Sequence, residues 1–126
     1  MGKRQIQSDQ AASPGGGYSQ AVELGGMVFV SGQGPLDPVS GDVVGETIRE
    51  QTVRTVDNIR LILNAAGLEL SDVVKTTVHL SDISLFDEFD EAYREVIPQP
   101  YPARTTVASG LLGILVEIDA VAIRDE

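Results

Sequence analysis

The chain has 126 residues, 42% of them apolar and 22% charged, with no cysteine and one histidine. That length suits a single domain over residues 1–126, able to bury about two-thirds of the surface its unfolded chain exposes. The missing thiols exclude disulfides and cysteine chemistry, and one imidazole leaves little for a transition-metal site. Nineteen acidic against nine basic residues give a net charge of −10. Such a surface repels phosphate backbones and anionic lipid, which argues against nucleic acid and membrane as partners. No apolar run approaches the roughly 20 residues of a bilayer crossing, and the basic N-terminus lacks the apolar stretch of a secretory signal. A cytoplasmic domain is expected.

In chain order, residues 3–7 read as a short strand and the small, polar residues 8–17 as a flexible loop. Two strand-like runs, 18–24 and 27–31, flank Gly25-Gly26 and predict a hairpin. The second run is apolar on both faces, as in a strand inside a sheet. Ile48, Thr52, Val56, Ile59, Leu63 and Ala66 recur at helical spacing, with Glu46 and Glu50 at the start and Gly67 as the stop. Residues 73–80 are β-branched and predict a strand. A second helix is expected over 84–97, with Phe86, Phe89, Tyr93 and Val96 inward and Asp82 or Ser84 as cap. After Pro98, Pro100 and Pro102, strands are expected over 105–109 and 114–123. Apart from the short possible strand at 3–7, the order is ββαβαββ, an α+β domain with two helices on one face of a mixed sheet.

Most chemical motifs are missing. Gly32-x-Gly34 leads into Pro35 rather than a helix, which argues against a dinucleotide site. His79 lies mid-strand with Lys75 and Thr77 on its side, an improbable setting for a serine triad. Two residues stand out. Arg104 opens one of the last strands, and Glu117 lies in the most apolar strand, where a carboxylate is costly unless paired, hydrogen-bonded or kept protonated. If the last two strands pair antiparallel, Arg104 and Glu117 approach the same end of the sheet. The pair then reads either as a structural ion pair or as a guanidinium fork for a substrate carboxylate beside a proton-handling acid.

Six segments occur in a specific order: Gly-Tyr-Ser-Gln-Ala (17–21), Val-Ser-Gly-Gln (30–33), Asn-Ala-Ala-Gly-Leu (64–68), Asp-Val-Val-Lys-Thr-Thr-Val (72–78), Tyr-Pro-Ala-Arg-Thr-Thr-Val (101–107) and Val-Glu-Ile-Asp-Ala-Val-Ala (116–122). Together they resemble the Rid family, the reactive intermediate deaminases, also called YjgF or RidA-like, over nearly the whole chain. The resemblance implies a chorismate-mutase-like fold, a homotrimer with clefts between subunits, and hydrolysis of imines and enamines such as 2-aminoacrylate to 2-keto acids and ammonia. It implies no metal or organic cofactor. It assigns the carboxylate clamp to Arg104 and the water-handling acid to Glu117. Tyr18 and Ser31 would line the cleft from the neighbouring chain, Gly32 and Asp90 are further expected substrate-binding residues, and the backbone of Thr106 would lie near the ligand.

Three positions depart from the family pattern. Gly17 replaces a proline, the turn before Glu117 lacks Leu-Pro, and Asp90 replaces an asparagine. A carboxylate at Asp90 facing the cleft would oppose a substrate anion by up to ~4 kcal/mol at 4 Å and an effective dielectric of 20, which favours a substrate with a cationic nitrogen. Other readings are a non-catalytic small-carboxylate binder and a 2-aminomuconate-type deaminase. A ribonuclease, an activity attached to some members, is disfavoured by the charge and the lack of a basic stripe.

Overall fold

The computed structural model describes residues 2–125. Gly25 and Gly26 take φ values of 60° and 80°, the pair of positive angles that a two-residue type I′ turn requires. They join β2 (Ala21–Leu24) to β3 (Met27–Gln33), with Leu24 opposite Met27. A short β1 (Arg4–Ile6) adds to the outer side of β2. The loop that follows β1 is anchored in its first half. The buried Gln20 side chain accepts from Ser8 N at 2.7 Å and donates to Ala12 O at 2.9 Å.

Helix α1 (Ile48–Ala65) begins with a capping box, in which Thr47 Oγ1 accepts from Glu50 N at 3.1 Å and the Glu50 carboxylate accepts from Thr47 N at 3.1 Å. Such caps contribute about 1 kcal/mol. All six residues of its predicted stripe are buried. The helix stops before Gly67, whose φ of 76° is available to glycine without strain. Helix α2 (Phe86–Val96) starts two residues later than its pattern predicts. The Asp82 carboxylate accepts from Ser84 N at 2.8 Å and draws Ile83–Leu85 into a tighter 3-10 turn. Phe89, Ala92 and Tyr93 are its buried face, while Phe86 and Val96 are half-buried.

Strands β4 (Val73–Leu80), β5 (Ala103–Ala108) and β6 (Val116–Ile123) complete a six-stranded sheet of order β1-β2-β3-β6-β4-β5. The sheet is mixed, since β5 runs parallel to β4 and the remaining pairs are antiparallel. Both helices cover one face, where Val28, Val30, Val78, Leu80, Val116, Ile118, Ala120 and Ala122 meet the stripe of α1. Each large apolar side chain buried there is worth about 1.5–3 kcal/mol. The other face carries no helix and leaves Met27, Phe29, Val107 and Ile123 exposed. Among the described residues no helix is long and apolar enough to cross a membrane.

One expectation is corrected. The last two strands do not pair, because β4 lies between them. β6 carries small and branched apolar residues on its core face and belongs in the middle of the sheet under α1. β5 is preceded by Pro100 and Pro102 and has alternate residues exposed, which suits an edge.

Glu23 on β2 ties β1 to the segment that follows β6. Its carboxylate accepts from Arg124 Nε and Nη2, both at 2.9 Å, and from Arg4 Nη2 at 2.6 Å, while Arg124 also donates to Ala66 O at 2.7 Å. The hydrogen bond from Arg124, helped by Arg4 and opposed by burial, lowers the Glu23 pKa from 4.5 to about 2. A depressed carboxyl pKa stabilises the fold above the unfolded value, and the contribution disappears as pH falls through the folded value. Glu23→Gln should therefore melt below the wild type at pH 7, and the gap should close between about pH 4.5 and 2. Thermal denaturation followed by circular dichroism across that range checks this.

Candidate functional site

β5 places Arg104 opposite Thr76 of β4, and Thr76 is buried beneath the helices, so Arg104 faces the helical side of the sheet. There α2 presents Phe86, Phe89 and Tyr93. The guanidinium carbon lies 5.4, 5.5 and 4.8 Å from their ring centroids, within cation–π range. Arg104 Nη1 donates to Asp90 Oδ1 at 2.7 Å, and Asp90 Oδ2 accepts from Arg94 Nε at 3.0 Å. Burial pushes the Asp90 carboxyl up, but the hydrogen bond and charge of Arg104, joined by Arg94, outweigh it and leave its pKa below the usual aspartate value. The Tyr93 hydroxyl is 2.7 Å from Thr76 Oγ1, and its pKa is raised, chiefly by burial. Asp90, Tyr93, Arg94, Tyr101, Pro102 and Arg104 line a cavity of about 320 Å³. Thr106 lies two residues along the same strand face, and its buried hydroxyl has no hydrogen-bond partner.

A second cluster occupies the helix-free face. Glu117 stands opposite His79, in the row of β4 residues that points away from the helices. Gly32 lies directly under it, since a Cβ at that position would sit 2.7 Å from Glu117 Oε2 and 2.9 Å from Cδ. A larger residue at 32 would displace the carboxylate. Ser31 and Tyr18 line an adjoining concavity of about 350 Å³ with Gly17 and Phe29. Ser31 Oγ donates to Ser19 O at 2.7 Å, and the Tyr18 hydroxyl accepts from Gly15 N at 3.1 Å.

The predicted residues thus fall into two groups. Arg104, Asp90 and Thr106 lie on the helical side at the β5 edge, and Tyr18, Ser31, Gly32 and Glu117 lie on the open side. Within one chain Arg104 and Glu117 do not share a pocket. The sequence reading brought them together by assuming that β5 and β6 pair, whereas β4 separates them and the strand registers turn them to opposite faces. The aromatic cradle of Arg104 and its link to Arg94 escaped that reading, although Asp90 and Arg94 stand at i, i+4 spacing. The Ser109 Oγ contact with His79 Nδ1 at 2.7 Å, with Asp119 Oδ2 4.0 Å from Nε2, also escaped it.

A larger concavity of about 700 Å³ lies over the outer side of α1 between Val44 and Val96. Its arginines are already paired, Arg49 with Glu95 and both Arg54 and Arg60 with Asp57. It contains none of the residues above. Among the described residues no three His, Cys, Asp or Glu side chains gather as a metal site.

Residues 8–124 match the family described as Endoribonuclease L-PSP. A RutC family protein of Pyrococcus abyssi is 42% identical over 99% of this chain and 100% of its own length. The chloroplastic Reactive Intermediate Deaminase A of Arabidopsis thaliana is 38% identical over 95% of this chain and 65% of its own. The structure of Escherichia coli TdcF with bound serine superposes with a TM-score of 0.90 at 33% identity, covering 97% of this chain and 99% of that one. With sequence likeness and a chorismate-mutase-like fold in agreement over almost its entire length, the chain belongs to the L-PSP family, the YjgF or Rid proteins.

Proposed function

We propose that this protein hydrolyses imines and enamines of small 2-amino acids to 2-keto acids and ammonia, in clefts formed between the subunits of a homotrimer. The observation that carries this reading is Arg104: a guanidinium cradled by three rings, with one nitrogen held by Asp90, in the wall of a cavity of about 320 Å³. Each charge-assisted hydrogen bond to a substrate carboxylate is worth roughly 1.5–3 kcal/mol, and two from one fork also fix the orientation of the bound molecule. The serine in the E. coli TdcF structure is a ligand with such a carboxylate.

The chemistry then needs only a water and a proton carrier. A protonated C=N carbon is already electrophilic. Glu117 takes a proton from the attacking water as the C–O bond forms, giving a carbinolamine. It returns that proton to nitrogen as the C–N bond breaks, while the carbinol hydroxyl gives up its proton to solvent and its electron pair closes the C=O bond, releasing ammonia and the keto acid. Because Arg104 and Glu117 face opposite sides of their own sheet, the reading requires the β5 edge of one copy to meet the open face of the next. The exposed apolar side chains Met27, Phe29, Val107 and Ile123 on that face support burial against another copy. Tyr18, Ser31 and Gly32 would then contribute the open-face half of each cleft.

Endonucleolysis, the activity in the family's description, has less support here. The net charge is −10, and Arg4, Arg49, Arg54, Arg60, Arg94, Arg104 and Arg124 are all paired with carboxylates. A phosphate chain would have to displace those partners.

Ammonia and keto-acid release should accelerate when the protein is added to an amino-acid oxidase generating imino acids. Arg104→Ala should lower kcat/KM by about 10²-fold or more, with Tm changed by only a few degrees. Ligand-induced stabilisation without acceleration would instead make the protein a carboxylate binder. Glu117→Gln should lower kcat by about 10²–10⁴-fold with little change in KM, and Gly32→Ala should reproduce part of that loss by pushing the carboxylate aside. Light scattering should give three times the 13.4 kDa chain mass. A monomer with full activity would overturn the shared-cleft geometry.

A further inference from the structure

Asp90 and Arg94 stand one turn apart on α2, and the Asp90 side chain is 17% exposed against 68% for Arg94. One Asp90 oxygen accepts from Arg104 Nη1 and the other from Arg94 Nε. A guanidinium can grip a carboxylate through its Nη1/Nη2 edge or its Nε/Nη2 edge. With Nη1 turned toward Asp90, the Nε/Nη2 edge is the one left for a ligand. The three rings of Phe86, Phe89 and Tyr93 pack around the guanidinium carbon at 4.8–5.5 Å and restrict how the group can turn. Charge follows the same geometry. Asp90 and Arg104 alone would form a neutral pair with little attraction for an anion, whereas two cations and one carboxylate leave the cluster at +1. This reverses the sign of the repulsion argument from sequence, where Asp90 stood against the substrate without a counter-charge.

We propose that Asp90 is the positioning residue of the Arg104 clamp and that Arg94 is its counter-charge: Asp90 selects the guanidinium edge offered to a carboxylate, and Arg94 keeps Asp90 from cancelling that edge's charge. The inference rests on the reading of Arg104 as a carboxylate clamp. Asparagine at position 90 would retain an acceptor for Nη1 and lose the charge. Alanine would lose both and free the guanidinium to turn.

Calorimetric binding of pyruvate, a small 2-keto acid, tests this without requiring turnover. Asp90→Asn should bind within threefold of wild type or more tightly, and Asp90→Ala at least tenfold more weakly. Arg94→Ala should weaken binding about threefold at low salt, with the difference fading at about 0.5 M salt, and Arg94→Lys should restore it. Arg94 is exposed, so its variants report even where Asp90→Ala fails to fold. Wild-type affinity in both Asp90→Ala and Arg94→Ala, beside lost binding in Arg104→Ala, overturns the positioning role alone. Retained pyruvate binding in Arg104→Ala overturns the clamp itself.

Discussion

An arginine on an edge strand has a neighbouring strand on one side only, and its long flexible stem holds a single orientation only if something else packs it. Here that support is α2. The ring stripe Phe86, Phe89 and Tyr93 lies under the guanidinium, and Asp90 binds one of its nitrogens. The position of α2 depends in turn on Asp82 tightening the turn before it and on Tyr93 bonding to Thr76 of β4. The parallel register of β5 on β4 sets Arg104 opposite the same Thr76. One threonine therefore lies beneath both the helix and the strand that build the clamp.

The sheet imposes the second constraint. Two helices cover one face of six strands, so every residue of a strand belongs either to the helical side or to the open side. Arg104 and Thr106 take the first, Glu117 and Ser31 the second. A pocket that uses both sets cannot close within one copy of this sheet. Assembly becomes part of the proposed chemistry, and on that reading the apolar open face would have to offset the repulsion between chains of net charge −10.

The polar interior serves this geometry. Gln51 links the start of α1 to the loop before it and to the loop before β6, donating to Gly45 O at 3.0 Å and accepting from Leu115 N at 2.8 Å. Asn58 donates to Gly34 O and Leu36 O at 3.0 and 2.9 Å, which holds the chain after β3 against α1. Gln20 does the same for the loop leading to Tyr18. Each buried amide meets backbone groups that would otherwise lack partners. Periodicity alone does not distinguish such amides from solvent-facing residues.

What the sequence determined by itself was local. The Gly25-Gly26 hairpin, the stripe and stop of α1, the inward rings of α2 and the two-sided pattern of β6 were all legible, because each follows from spacing within one segment and from the conformational limits of glycine and proline. The ordered motifs carried the family. Long-range pairing decided the rest. The insertion of β6 between β3 and β4, the parallel edge of β5, and hence the opposite facing of Arg104 and Glu117 depend on which strands bury the most apolar area together, a comparison among distant segments that no local pattern contains. The same holds for Asp90: as a letter in the chain it is a charge that repels an anion, and only the placement of Arg94 and Arg104 on either side of its carboxylate gives the cluster its positive sign.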